Sequence, residues 1–171
     1  VMVSSSGHRL LSLDAQEVVK ERLLPLSTLV TPNIPEMEAL TAMSLTTAEE
    51  KLSAAKYLLS LGAQAVLLKG GHEEGDTKCD TLYELDGRNI TQLHLSTPTV
   101  ATKNIHGTGC TLSSAIAAFM ARGLALREAV QEAKKYITEA ILSGADIAIG
   151  NGFGPVNHLF NPLPMQVYEE R

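Results

Sequence analysis

The chain has no tryptophan, three phenylalanines and four tyrosines, so aromatic residues make up only 4% of its 171 positions. Its two cysteines, Cys79 and Cys110, form no CxxC pair, and no two histidines stand at metal-ligand spacing. Those absences exclude a disulfide scaffold and a zinc module, and they fit a reducing, cytoplasmic setting. No apolar run approaches the roughly 18 residues of a membrane span. The opening residues have neither the basic n-region nor the apolar h-region of a secretory signal. Lys and Arg are never clustered, and 14 of them against 19 Asp and Glu leave a net charge of -5. A duplex-binding protein carries a basic stripe, so nucleic acid is not the expected partner. Internal repeats and low-complexity tracts are also missing.

What is present has the rhythm of an α/β protein. The length suits a single domain over residues 1–171, with an irregular tail from about 159. Val1-Met2-Val3 is a short β-like run. Ser12 caps an expected helix carrying Ala15, Val18, Val19 and Leu23 up to Pro25. Thr28–Thr31 is β-branched and apolar, and Pro32 stops it. A short helix through Glu36–Leu40 follows. Thr47-Ala48-Glu49-Glu50 reads as a capping box, opening a helix with Leu52, Ala55 and Leu59 on one face and Gly62 past its end. Ala65–Leu68 is the continuous apolar run of a strand buried on both faces. This alternation predicts a mostly parallel sheet with helices packed on it. Asp80–Leu85 and Ile90–Leu95, flanking Asp86-Gly87-Arg88-Asn89, predict an antiparallel edge hairpin. Helical spacing returns in Leu112, Ala115, Ile116 and Phe119, and again from about Leu126 in Val130, Ala133, Ile137 and Ile141.

Three short motifs carry possible chemistry. Gly107-Thr108-Gly109-Cys110 enters an apolar helix, where first-turn N–H groups and the helix dipole favour an anion such as phosphate. The plainer alternative is that two glycines permit a tight entry and Cys110 is a small buried hydrophobe. Asn33 and Glu36, after the strand at 28–31, are close enough to share one turn and hold a cation's water shell; magnesium keeps several waters and takes few protein ligands. The alternative is a simple helix entry with Glu36 favoured by the dipole. Lys69-Gly70-Gly71-His72 leaves the end of another strand, where a lysine meets phosphate as a point charge or is simply exposed. There is no G-x-x-x-x-G-K-[ST], and the third residue beyond Gly109 is Leu112, so neither common nucleotide-binding motif is complete.

Taken in order, Thr31-Pro32-Asn33-x-x-Glu36, Lys69-Gly70-Gly71-His72, Lys103-Asn104-x-His106-Gly107-Thr108-Gly109-Cys110-Thr111 and Gly152-x-Gly154-Pro155-Val156-Asn157-His158 resemble the hydroxymethylpyrimidine/phosphomethylpyrimidine kinases of thiamine biosynthesis. These belong to the ribokinase-like superfamily, and the resemblance runs from Val1 to about His158. It implies a three-layer α/β/α fold with a mostly parallel sheet and an edge hairpin. It also implies ATP-dependent phosphorylation of 4-amino-5-hydroxymethyl-2-methylpyrimidine and then of its monophosphate. By position, Cys110 would be the catalytic base, and Gly107, Thr108, Gly109 and Cys110 the anion hole. Lys69, Gly71 and Lys103 would bind ATP, Asn33 and Glu36 would organise Mg2+ and its waters, and Val1 would touch the pyrimidine. No residue is assigned as a direct metal ligand. A homodimer is the implied assembly.

The family's Gly-rich, pyrimidine-binding N-terminal segment has no counterpart here, so the chain is expected to be the C-terminal portion of such an enzyme, inactive or weakly active alone. Two other readings stand beside it: a pyridoxal kinase of the same superfamily, and a non-catalytic nucleotide-binding remnant.

Overall fold

The computed structural model describes Met2, residues 10–71, residues 75–162 and Pro164. Two compact units divide the chain, Val1–Thr99 and Val100–Arg171, and each is taken by itself.

In the first unit, Ser12 accepts a hydrogen bond from the Ala15 N–H and opens α1, Leu13–Val18. The helical path widens to a π-type stretch at Val19–Leu23 and tightens to a 3-10 turn at Leu24–Leu26, which holds Pro25. Helix α2, Ile34–Thr41, begins at Asn33 and ends at Ala42 in the left-handed region, φ 55°. Thr47 caps α3, Ala48–Ser60. Its hydroxyl accepts from the Glu50 N–H (3.2 Å) and the Glu50 carboxylate accepts from the Thr47 N–H (2.8 Å). Hydrogen bonds from the Thr46 hydroxyl and the two backbone amides hold the Glu50 carboxyl below the ordinary carboxylate range. Gly62 follows the helix at φ +106°, and a Cβ there would come within 2.8 Å of the Pro25 Cα. Both demands are met only by glycine.

Ala54, Ala55, Leu58 and Leu59 of α3 turn inward and join Leu24, Met37, Leu40, Val66, Leu68 and Tyr83 in the core. Strand β1, Ala65–Leu68, is buried at every residue. It pairs antiparallel with β2, Thr77–Asp86, which pairs antiparallel with β3, Asn89–Pro98. The two long strands meet across Gly87-Arg88, with Gly87 at φ +61°, the place where a type II′ turn takes glycine. Exposed and half-buried residues alternate along β3, as on an edge strand.

Among the described residues the three strands run antiparallel, and parallel pairing is confined to isolated bridges, Val30↔Val66 and Asn33↔Lys69 in this unit and His106↔Pro155 in the second, so these strands do not themselves form the expected mostly parallel sheet. The cause is local. The Val30 N–H donates to the Ala65 carbonyl and the Val30 carbonyl accepts from the Leu67 N–H. Pro32 then accepts from the Lys69 N–H, but it has no N–H to return to Leu67. The segment expected as a strand at 28–31 is thus a parallel partner of β1 with one rung missing. Of the β-like run at 1–3, only Met2 lies within the described residues.

The second unit is built on an αα-hairpin. Helix α4, Thr108–Ala121, and α5, Leu126–Gly144, are joined through Gly123, at φ +93°. Leu112 and Ile116 of α4 are buried, as are Ala129, Val130, Ala133, Ile137 and Ala140 of α5. Ile141 is only half-buried, because Ala140 takes the inward place. No helix among the described residues is long and apolar enough to cross a membrane.

Candidate functional site

The first unit gathers Asn33, Glu36 and Lys69 at the end of β1. The Asn33 side chain accepts from the Glu36 N–H at 2.8 Å, and Glu36 Oε2 accepts from the Asn33 N–H at 3.0 Å, a reciprocal capping box. Glu36 Oε1 accepts from the Met2 N–H at 2.9 Å. Only 6% of Glu36 is exposed. Burial pushes its pKa up, but the Asn33 and Met2 amides and the nearby Lys69 charge outweigh it and hold the carboxyl below its ordinary value. Both carboxylate oxygens thus already serve the backbone, as the helix-entry alternative requires, while the negative charge is kept.

Lys69, bridged to Asn33, is half-buried, and the chain then turns through Gly70 and Gly71. The Gly70 N–H donates to Oδ1 of buried Asp80 at 2.9 Å. Asp80, on β2, fastens this turn, a role hidden by a ten-residue separation. A Cβ on Gly71 would meet nothing within 4 Å, so no protein atom demands glycine there. Val1 and His72 lie outside the described residues.

In the second unit Gly107 precedes α4 at φ +85°, a left-handed conformation that favours glycine. Thr108 is tied back to the Ile105 carbonyl through both its N–H (3.3 Å) and its hydroxyl (2.6 Å). The helical ladder starts with the Thr111 N–H on the Gly107 carbonyl, which leaves the Gly109 and Cys110 amides in the turn that has no intrahelical acceptor. Cys110 is exposed, so it is not the small buried hydrophobe of the plainer alternative. Lys103 is exposed in the loop ahead.

Beside Cys110 lies an open cleft of about 480 Å3, walled by Ser114, Ala118, Phe119, Tyr136 and His158. The chain's closing motif reaches it. His158 Nε2 is 2.8 Å from the Thr111 hydroxyl, and the Tyr136 hydroxyl donates to the His158 carbonyl at 3.1 Å. His158 and Tyr136 carry no sequence signal for this place, being 47 and 25 residues from Thr111, with only the motif 152–158 to mark the former. The unit can therefore offer an anion two unpaired amides at the positive end of a helix, with a thiol at their rim. Among the described residues no group of three or more His, Cys, Asp or Glu could hold a metal on its own.

The phosphomethylpyrimidine kinase family model matches residues 1–157. The chain is 47% identical over 159 residues to the thiamine biosynthesis bifunctional protein ThiED of Geobacter sulfurreducens, covering 93% of this chain and 31% of that protein. It is 43% identical to the hydroxymethylpyrimidine/phosphomethylpyrimidine kinase of Salmonella typhimurium, covering 92% of this chain and 58% of that one. Among solved structures, pyridoxal kinase from Staphylococcus aureus in complex with AMP-PCP is 34% identical with a TM-score of 0.81, over 94% of this chain and 57% of that one. Phosphomethylpyrimidine kinase from Clostridium difficile is 38% identical with a TM-score of 0.65, over 82% of this chain and 55% of that one. The chain spans less than two thirds of the length of these relatives. Its α/β fold is theirs, and with a match across both units the chain belongs to the phosphomethylpyrimidine kinase family.

Proposed function

We propose that the full protein transfers the γ-phosphoryl group of ATP to the hydroxymethyl oxygen of 4-amino-5-hydroxymethyl-2-methylpyrimidine, and then a second phosphoryl group to the monophosphate so formed. The observation that carries this reading is the exposed Cys110 thiol in the first turn of α4, beside amides without helical partners. The names of the curated relatives supply the substrate. In the first transfer the substrate oxygen bonds the γ-phosphorus, the bond from that phosphorus to the ADP oxygen breaks, and Cys110, acting as the thiolate, takes the hydroxyl proton and becomes the neutral thiol. The Gly109 and Cys110 amides, in the turn that Gly107 and Thr108 shape, balance charge on the moving group, which is the main demand of phosphoryl transfer. Lys69, Gly71 and Lys103 meet the nucleotide.

Magnesium, arriving with the nucleotide phosphates, would neutralise their charge while keeping most of its waters. The donor set fits that indirect role: Glu36 stays charged, and each of its oxygens retains a second acceptor site beyond the amide it holds. Asn33 and Glu36 would hold those waters. In this reading both units belong to one ribokinase-like, three-layer domain with a mostly parallel sheet, acting in the cytoplasm as a homodimer. A family match that spans both units supports it. One observation favours a second reading: pyridoxal kinases are among the structures that share this fold most fully.

The test is the Cys110→Ser variant of the full protein. In the second transfer the nucleophile is already an anionic phosphate, so no strong base is needed, and a neutral thiol repels it less than a carboxylate would. Serine should cost the first phosphorylation about 100-fold in kcat, within the usual range for losing a general base, and the second about 10-fold or less. Equal losses in both steps would sink the assignment.

A further inference from the structure

We propose that Asn104 is the positioning residue of the phosphate loop: its buried amide fastens residues 102–107 to the C-terminal end of α5 and so aims the N–H groups at Gly107–Cys110. The inference rests on the kinase reading for its catalytic consequence, but its geometry stands on the second unit alone.

Asn104 is 2% exposed. Its Nδ2 carries two hydrogens and faces three carbonyls, those of Ile147 (2.6 Å), Gly144 (2.7 Å) and Ala145 (3.3 Å). These sit at and just beyond the end of α5, where helical carbonyls lack partners and the dipole is negative. Thr102 works alongside: its hydroxyl donates to the Ala145 carbonyl at 2.9 Å and accepts from the Asn104 N–H at 3.0 Å. On the other side the loop is laced to the tail, the His106 N–H donating to the Gly154 carbonyl at 3.0 Å.

The opposite amide atom explains the closing glycine. Oδ1 of Asn104 has no hydrogen-bond partner among the described residues and is buried. It lies against Gly154, where a Cβ would intrude on the Asn104 side chain and stand 2.7 Å from its Cγ. Turning the amide over would aim Oδ1 at three carbonyl oxygens, so the donor faces α5. A buried oxygen left unpaired is a stability cost, and the return is a loop pinned two residues ahead of His106 and three ahead of Gly107. Between them only Ile105 and His106 can absorb a shift, and Thr108 is already tied to Ile105. A displacement at Asn104 therefore passes directly to the amides of the first turn of α4.

The experiment uses the full natural chain and compares wild type with Asn104→Asp, a near-isosteric change that replaces the donor with an oxygen. Two readouts are taken: steady-state phosphorylation of the hydroxymethylpyrimidine, and amide hydrogen exchange. We expect kcat to fall about 100-fold, the scale of a small misplacement of catalytic groups, with KM for ATP and pyrimidine changed about threefold or less. Exchange should quicken at residues 105–111 and stay unchanged in the middle of α5. Gly154→Ala, which displaces the same amide, should give the same pattern and add little to Asn104→Asp. If Asn104→Asp does not fold, Thr102→Val should shift both readouts in the same direction to a smaller degree. Retained kcat, a matching rise in KM, or exchange that quickens throughout the unit would overturn the proposal. A wild type that phosphorylates none of the pyrimidines would refute the kinase reading instead, and the local exchange pattern would still decide the role of Asn104.

Discussion

Glu36 shows how one buried carboxylate joins local folding to a charge at the site. Each of its oxygens accepts a backbone N–H, and those bonds together with Lys69 keep it ionised despite burial. Its folded pKa is lower than its unfolded one, so its contribution to stability is complete above the ordinary value of 4.5 and disappears as pH falls through the folded value. Glu36→Gln would set an NH2 group against a backbone N–H. It should lower stability at neutral pH by about 1–3 kcal/mol, and the gap between variant and wild type should narrow as the solution is acidified below 4.5. Thermal unfolding across that pH range measures it; a gap that widens toward acid would refute the ionised, amide-held carboxylate.

At the scale of elements, the ends of helices are where sequence and structure agree most closely, because caps are decided within four residues. The Thr47–Glu50 box is such a case, and Thr47→Ala should cost about 1 kcal/mol in chemical denaturation, with no loss if the cap is idle. Ala65–Leu68 and the Gly87 hairpin were legible for the same reason: an apolar run and an Asp-Gly turn are local signals. The parallel partner of β1 was legible as a segment but not as a broken ladder, since the missing rung depends on which N–H of the segment faces Leu67. The widening at Val19–Leu23 left no trace in the apolar spacing. Of the candidate site, the Gly107–Cys110 loop and the Asn33–Glu36 pair could be read from glycine placement and capping spacing. The contacts of Asp80, Asn104, Tyr136 and His158 could not, because each acts on residues between ten and 47 positions away, and such pairings are set by tertiary packing.

At the scale of the whole molecule, the two units carry separate candidate parts: Asn33, Glu36 and Lys69 lie in the first, and the Gly107–Cys110 loop with its thiol lies in the second. The chain matches the phosphomethylpyrimidine kinase family across residues 1–157 while spanning 58% of the Salmonella typhimurium relative. The same fold carries the name pyridoxal kinase in Staphylococcus aureus, so substrate choice is the claim that most needs a direct answer. The decisive measurement is a competition assay with the full protein, ATP and magnesium, offering hydroxymethylpyrimidine, its monophosphate and pyridoxal together. Both pyrimidines should be phosphorylated with kcat/KM at least about 100-fold above pyridoxal, the scale at which a site with matched polar groups rejects a mismatched ring, and Cys110→Ala should remove the first pyrimidine step. Preferential phosphorylation of pyridoxal, or pyrimidine turnover unaffected by the loss of Cys110, would contradict the proposed function.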